Sequence, residues 1–126
     1  MSTNKIKHIG VFTSGGDSPG MNAALYAIAK SAEVNDIKVS GFLKGYEGLI
    51  DGDLIPLKSH ELKKITQIGG TILKTARSKR FLELEGRKKA LQTLKANNID
   101  ALIAIGGDGT FKGLLAFSEI CDIPFI

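Results

Sequence analysis

Two stretches of this chain place paired glycines and an aspartate directly after an apolar run. One is Ile105-Gly106-Gly107-Asp108-Gly109-Thr110, which follows Ala101 to Ala104. The other is Thr13-Ser14-Gly15-Gly16-Asp17-Ser18-Pro19-Gly20-Met21-Asn22, which follows Ile9 to Phe12. A glycine lets backbone N–H groups reach phosphate oxygens with no Cβ in the way, and a helix starting there points its positive end at the anion. A neighbouring carboxylate suits the Mg²⁺ that accompanies a polyphosphate. The two loops together imply one nucleotide phosphate site approached from two sides.

The elements needed to position such loops can be read along the chain. Lys5 to Phe12 predicts a first strand, Ser18 and Pro19 a helix start, and Met21, Ala24, Leu25 and Ile28 a helix to about Val34. Lys38 to Leu43 predicts a second strand. Gly45 to Gly48 reads as a turn, and Leu49 to Leu57 as extended pieces broken at Asp51-Gly52-Asp53. A helix is expected from Ser59, with Leu62, Ile65 and Ile68 inward, stopped by Gly69-Gly70; Thr71 to Thr75 then reads as a short strand. Gly86 to Asn98 has helical periodicity, with Ala90, Leu91 and Leu94 on one face. Asp100 to Ile105 is apolar without alternation, the pattern of a strand covered on both faces. A helix is expected over Thr110 to Ile120, and Ile123 to Ile126 starts another strand. Strand and helix alternate throughout, so the expected fold class is α/β: a doubly wound, Rossmann-like, mostly parallel sheet with helices on both faces.

Bulk composition narrows the function classes. The chain has 126 residues, of which 43% are hydrophobic, enough for one modest domain. The net charge is +4, without a basic run long enough for a nucleic-acid arm; Lys74 to Arg80 suits a phosphate site equally well. Nucleic acid and membrane are not expected partners. The single cysteine, Cys121, permits no internal disulfide and reads as a buried small hydrophobe on the last helix, consistent with a cytoplasmic setting. An ending on Pro124-Phe125-Ile126 leaves a nascent parallel strand without its crossover, so a piece of a longer protein is expected.

Neither loop is a Walker A, since no Gly-Lys-Ser/Thr closes the pattern, and adjacent Gly15 and Gly16 do not make G-x-G-x-x-G. The combination is more specific. The stretch 13–22, Gly69-Gly70-Thr71-Ile72-Leu73-Lys74-Thr75-Ala76-Arg77, and Gly106 to Thr110 occur in this order and spacing. That set resembles the amino-terminal part of the 6-phosphofructokinases, from Ile6 to Ile126. The resemblance implies a truncated phosphofructokinase fold, residues 1–126 being the amino-terminal nucleotide-binding part of the large domain. It implies phosphoryl transfer from ATP, with Mg²⁺, to the 1-hydroxyl of fructose 6-phosphate, in a cytoplasmic homotetramer. Gly16 matches a glycine whose N–H lies against the ATP phosphates. Arg77 matches a catalytic arginine spanning donor and acceptor phosphoryl groups, with Ser78 next to it on the nucleotide side. Gly107, Asp108, Gly109 and Thr110 match the second phosphate loop, Asp108 being the Mg²⁺-associated carboxylate; Tyr46 matches a tyrosine near the nucleotide.

Plainer readings stand beside these. Arg77 to Arg80 could be a solvated basic loop, and Asp17 could cap its own helix. His8 and His60 show no partner pattern and read as fillers. Lys79, Arg80, Arg87, Lys88 and Lys89 read as solvent-facing. Gly109, where many pyrophosphate-using relatives carry aspartate, favours ATP over pyrophosphate. The family's catalytic base belongs to Pro-Gly-Thr-Ile-Asp-Asn-Asp, expected just after Ile126, so the 126 residues alone are expected not to turn over substrate. Tyr26, Lys30 and Ser59 stand where bacterial members carry effector-site arginines, and only Lys30 keeps the charge, which argues against the usual effector control. A non-catalytic nucleotide-binding module is the alternative from another class.

Overall fold

The computed structural model describes residues 6–14, 21–65, 72–73, 78–106 and 108–126, with backbone alone at Ile65 and at 108–109. Four strands form one sheet in the order β3-β2-β1-β4. They are β1 (His8–Thr13), β2 (Lys38–Phe42), β3 (Leu54–Pro56) and β4 (Ala101–Ile105). β1 pairs parallel with both β2 and β4, and only the edge strand β3 runs antiparallel. The helices are α1 (Met21–Val34), α2 (Tyr46–Asp51), α3 (Ser59–Leu62), α4 (Leu84–Ala96) and α5 (Asp108–Phe117), with 3₁₀ turns at Lys63–Ile65 and Arg80–Leu82.

Strand geometry explains why helices cover both faces. Successive side chains of a strand point to opposite sides, so Phe12 and Val11 enter different cores. Phe12, Phe42 and Leu102 pack with Leu49 and Ile50 of α2, Ala90 and Leu94 of α4, and Leu114 and Phe117 of α5. Val11 and Val39 pack on the other face with Leu25 and Ala29 of α1, Leu62 of α3, and Leu57 and Leu73. The doubly wound expectation holds. Each face has its own core, and truncating a fully buried aromatic such as Phe12 to alanine should cost about 3–5 kcal/mol.

The reading of Asp100 to Ile105 as a central strand also holds. Beyond β4, Leu102 N–H donates to Pro124 O and Ile126 N–H to Leu102 O, both at 2.9 Å. The last residues thus lie parallel to β4 through the Leu102–Phe125 bridge.

Three expectations change. Residues 46–51 are a helix, not a turn and an extended piece. Tyr46, Leu49 and Ile50 recur at i, i+3 and i+4 and are all buried, so tertiary burial outweighs the local turn signal of two glycines. Gly52 ends this helix in the left-handed region at φ 74°, with its N–H on Gly48 O, as a C-cap glycine does. The last helix stops at Phe117, so Cys121 lies past the turn at 118–120, still buried, its thiol pushed up by desolvation. Ile72 and Leu73 form a turn rather than a strand, with Leu73 fully buried. Ser18, Pro19, Ile68 and Gly69-Gly70 lie outside the described residues.

Candidate active site at the carboxyl ends of β1 and β4

β1 leads to β2 and β3 on one side, and the chain then returns to place β4 on the other. The strand order reverses between β1 and β4, and ligands of open α/β sheets bind in the crevice at such a point. The strands that precede both glycine motifs end there. Thr13 pairs with Ile105 in register, and Ser14 N–H donates to Ile105 O at 2.8 Å. Gly106 continues from β4 into tight quarters. A Cβ on it would lie 2.8 Å from Ser14 O and closer still to Thr110 Oγ1, so the approach of these segments requires glycine. Thr110, in the first turn of α5, is 5% exposed, and its Oγ1 is a buried polar atom with no hydrogen-bond partner among the described residues. A buried unpartnered hydroxyl costs free energy, about 1–3 kcal/mol, unless something else completes it.

A third segment reaches the same region through α2. Tyr46 donates its hydroxyl to Thr110 O at 2.6 Å, and its ring is stacked on Phe81 with centroids 3.9 Å apart. Burial pushes the Tyr46 hydroxyl far up its scale, so it remains a neutral donor. Next to it on the helix, Glu47 accepts from the Ser78 hydroxyl and from Arg80 Nη2 at 2.9 Å. Arg80 also makes a two-pronged contact with Asp51, both prongs at 2.9 Å. The Arg80 guanidinium, and after it the Ser78 hydroxyl, hold the Glu47 carboxyl below the usual range; Arg80 does the same to Asp51. These ion pairs are exposed enough for solvent to screen them, so each contributes little to stability. Burial of Phe81 supplies more adhesion, about 3–5 kcal/mol on truncation, so the charges set direction rather than hold the segment down.

Of the candidate residues, Gly16, Arg77 and Gly107 lie outside the described residues. The backbone of Asp108 and Gly109 opens α5, and Thr110 faces Gly106. Ser78 is described, with its hydroxyl engaged by Glu47 and accepting Phe81 N–H at 3.2 Å. Among the described residues no cluster of three His, Cys, Asp or Glu could hold a metal, and the Thr110 hydroxyl is buried without a partner. Arg80 is exposed, as expected, but sequence reasoning missed the two carboxylates that share it, and it missed Arg87, whose Nη1 donates to Phe81 O at 2.9 Å while its Nε is buried without a partner among the described residues. It also missed His8, which bonds Asn97 O and Ser40 Oγ. An i, i+4 pair of acids ahead of a lone arginine was the available signal for the first of these. His60 is exposed, the surface alternative of the two left open for it. At the expected effector positions, Ser59 gives both its N–H and its hydroxyl to Glu33, at 2.8 and 2.6 Å.

The sheet order and the converging loop flanks define a doubly wound α/β protein with its crevice at the β1/β4 switch point. Comparison with known proteins narrows this class. The phosphofructokinase family model matches residues 8–126. ATP-dependent 6-phosphofructokinase 1 of Thermus thermophilus is 50% identical over 96% of this chain. ATP-dependent 6-phosphofructokinase 2 of Bacteroides thetaiotaomicron is 48% identical over the same share. The crystal structure of Pichia pastoris phosphofructokinase in the T-state superposes with a TM-score of 0.86 at 41% identity, covering 91% of this chain and 12% of that one. The chain belongs to the phosphofructokinase family. It spans 38% and 37% of the lengths of the two bacterial relatives.

Proposed function

We propose that this chain is the amino-terminal nucleotide-binding part of an ATP-dependent 6-phosphofructokinase, and that the whole enzyme phosphorylates fructose 6-phosphate. The observation that supports this best is the meeting of both glycine-loop flanks at the switch point, around a buried threonine hydroxyl left without a partner. In the reaction the sugar 1-hydroxyl oxygen bonds to the γ-phosphorus while the bond to the β–γ bridging oxygen breaks. ADP leaves with that electron pair, and the hydroxyl proton goes to a base outside the 126 residues, the aspartate that the resemblance assigns to the motif expected after Ile126. Such transfer needs positioning and charge neutralisation more than covalent help. Gly16, Gly107, Gly109 and Thr110 would line the phosphates, Ser78 would lie on the nucleotide side, Asp108 would hold the Mg²⁺ that arrives with ATP, and Arg77 would span the two phosphoryl groups. A cytoplasmic homotetramer belongs to the same reading, as does inactivity of residues 1–126 alone. Among the described residues, no helix is long and apolar enough to cross a membrane.

The test is a steady-state assay of the protein at its natural length with Mg-ATP and fructose 6-phosphate, beside Mg-pyrophosphate as donor. Sugar-dependent ADP release supports the proposal, and Arg77→Ala should lower kcat far more than it weakens ATP binding. An unchanged kcat in that variant removes Arg77 from catalysis. Turnover with pyrophosphate alone makes the donor pyrophosphate, and Mg-ATP binding with no turnover leaves a non-catalytic module.

A further inference from the structure

Tyr46 and Glu47 are neighbours on one short helix, yet they hold different segments. Tyr46 takes the Thr110 carbonyl at the start of α5, and Glu47 takes Ser78 and Arg80. The Tyr46 arm is closely fitted. A Cβ on Gly113 would lie 2.6 Å from the Tyr46 hydroxyl and 2.9 Å from its ring, so glycine there lets α5 rest on the tyrosine. The Glu47 arm is reinforced by Asp51, one turn on, which shares the Arg80 guanidinium. The two arms also touch, because Phe81 lies on the Tyr46 ring at an interplanar angle of 16°. The geometry of α2 is set independently by Leu49 and Ile50, which are buried in the core beneath it.

We propose that α2 is a bracket that fixes the spacing between the Ser78–Phe81 segment and the first turn of α5. Tyr46, Glu47 and Arg80 are its positioning residues. This rests on the reading above, in which both segments serve one nucleotide. Tyr46 then acts on the site through the Thr110 carbonyl that its hydroxyl holds, with its ring packed between Phe12 and Phe81. Glu47 likewise spends its carboxylate on Ser78 and Arg80, which turns the Ser78 hydroxyl toward α2. Adjacent residues on one rigid turn cannot move apart, so a shift of either segment is transmitted to the other.

The experiment is a double-mutant cycle on the protein at its natural length, with Tyr46→Phe and Arg80→Gln alone and together. Mg-ADP is the probe, titrated by calorimetry, and steady-state KM for ATP and for the sugar phosphate are measured beside it. Tyr46→Phe keeps the ring and removes one hydrogen bond, so Kd should rise roughly three- to tenfold. Arg80→Gln removes exposed ion pairs, so Kd should rise about two- to fivefold. The double variant should bind more tightly than the product of the two losses predicts, because spacing already lost through one arm cannot be lost again. KM for ATP should rise while KM for the sugar phosphate holds, a selectivity that general loosening would not produce. If Arg80→Gln fails to fold, Asp51→Asn removes one charge and takes its place. Wild type binding Mg-ADP with both single variants unchanged overturns the bracket, and so do losses that simply multiply. Wild type failing to bind any nucleotide overturns the underlying reading and the bracket with it.

Discussion

The two ends of the sheet are finished in opposite ways. At the amino end, Asp100 accepts Lys7 N–H and His8 N–H at 2.9 and 3.0 Å. The His8 ring uses both nitrogens, one on Asn97 O at 3.0 Å and one on Ser40 Oγ at 2.8 Å. At the carboxyl end of β1 and β4, Thr110 Oγ1 is buried without a partner among the described residues and Gly106 leaves no room for a Cβ. A sheet can close its polar groups, as β1 and β4 do at one end. On the proposed reading, the group left open at the other end is where a ligand completes the structure. The amino end contributes stability. The carboxyl end, on the same reading, gives up some stability for binding.

The largest effect should come from filling the open end. Gly106→Ala sets a methyl group against Ser14 O and Thr110 Oγ1, so the loop must shift. Mg-ATP affinity should fall more than about tenfold, with stability lower by roughly 1–3 kcal/mol. Calorimetric titration and a urea melt read the two effects. Unchanged affinity would break the assignment of this end to binding. Asp100→Ala tests the other end: it strips two backbone N–H groups of a charged acceptor and should cost about 1–2 kcal/mol in the same melt. Nucleotide affinity should stay at the wild-type value, and a loss there would blur the division between the ends.

How much of this contrast could be read in the sequence depends on whether the signal is local. The place where the loop flanks Ser14 and Gly106 meet was legible because glycine pairs after an apolar strand have a backbone meaning of their own, and β4 was legible because its side chains are apolar on both faces. The helix α2 was not. Its six residues carry too few periods to outweigh flanking glycines, and what makes them helical is burial of Tyr46, Leu49 and Ile50 against residues distant in sequence. The His8 contacts were invisible for a related reason: Ser40 and Asn97 come to it only through the β1–β2 register and the end of α4. Arg80 looked solvated because its acids lie 29 and 33 positions earlier. Local backbone demands show in a sequence, whereas side-chain partnerships across elements wait for the fold.

A smaller effect sharpens the comparison. Thr110→Val removes the unpartnered hydroxyl while keeping the branched shape. Without nucleotide it should leave stability unchanged or raise it by up to about 1 kcal/mol, since an unsatisfied polar atom disappears. Mg-ATP should nonetheless bind several-fold more weakly. Equal binding by the valine variant would mean that the hydroxyl is not held for a ligand.

The smallest effect is a pH dependence confined to the amino end. Asn97 O can only accept, so His8 Nδ1 carries the proton and Nε2 accepts from the Ser40 hydroxyl. Desolvation lowers the His8 pKa most; the Asn97 carbonyl and Asp100 raise it and Lys38 lowers it, and the balance lies below the ordinary value. The folded state therefore holds fewer protons than the unfolded chain once the pH drops below about 6.5, where free histidine titrates. The contribution of His8 is fully present above that pH, declines as the pH falls through it, and is gone below the folded pKa. Glu47 and Asp51, whose pKa values are lowered by Arg80, lose their contributions only in the more acidic carboxylate range, so the two windows separate. The urea midpoint should fall between pH 8 and pH 5.5 in the wild type and stay nearly level in His8→Gln. A wild-type midpoint that is flat or rising over that interval would show that the His8 ring is not held neutral, and the amino end would then lose its claim to be closed.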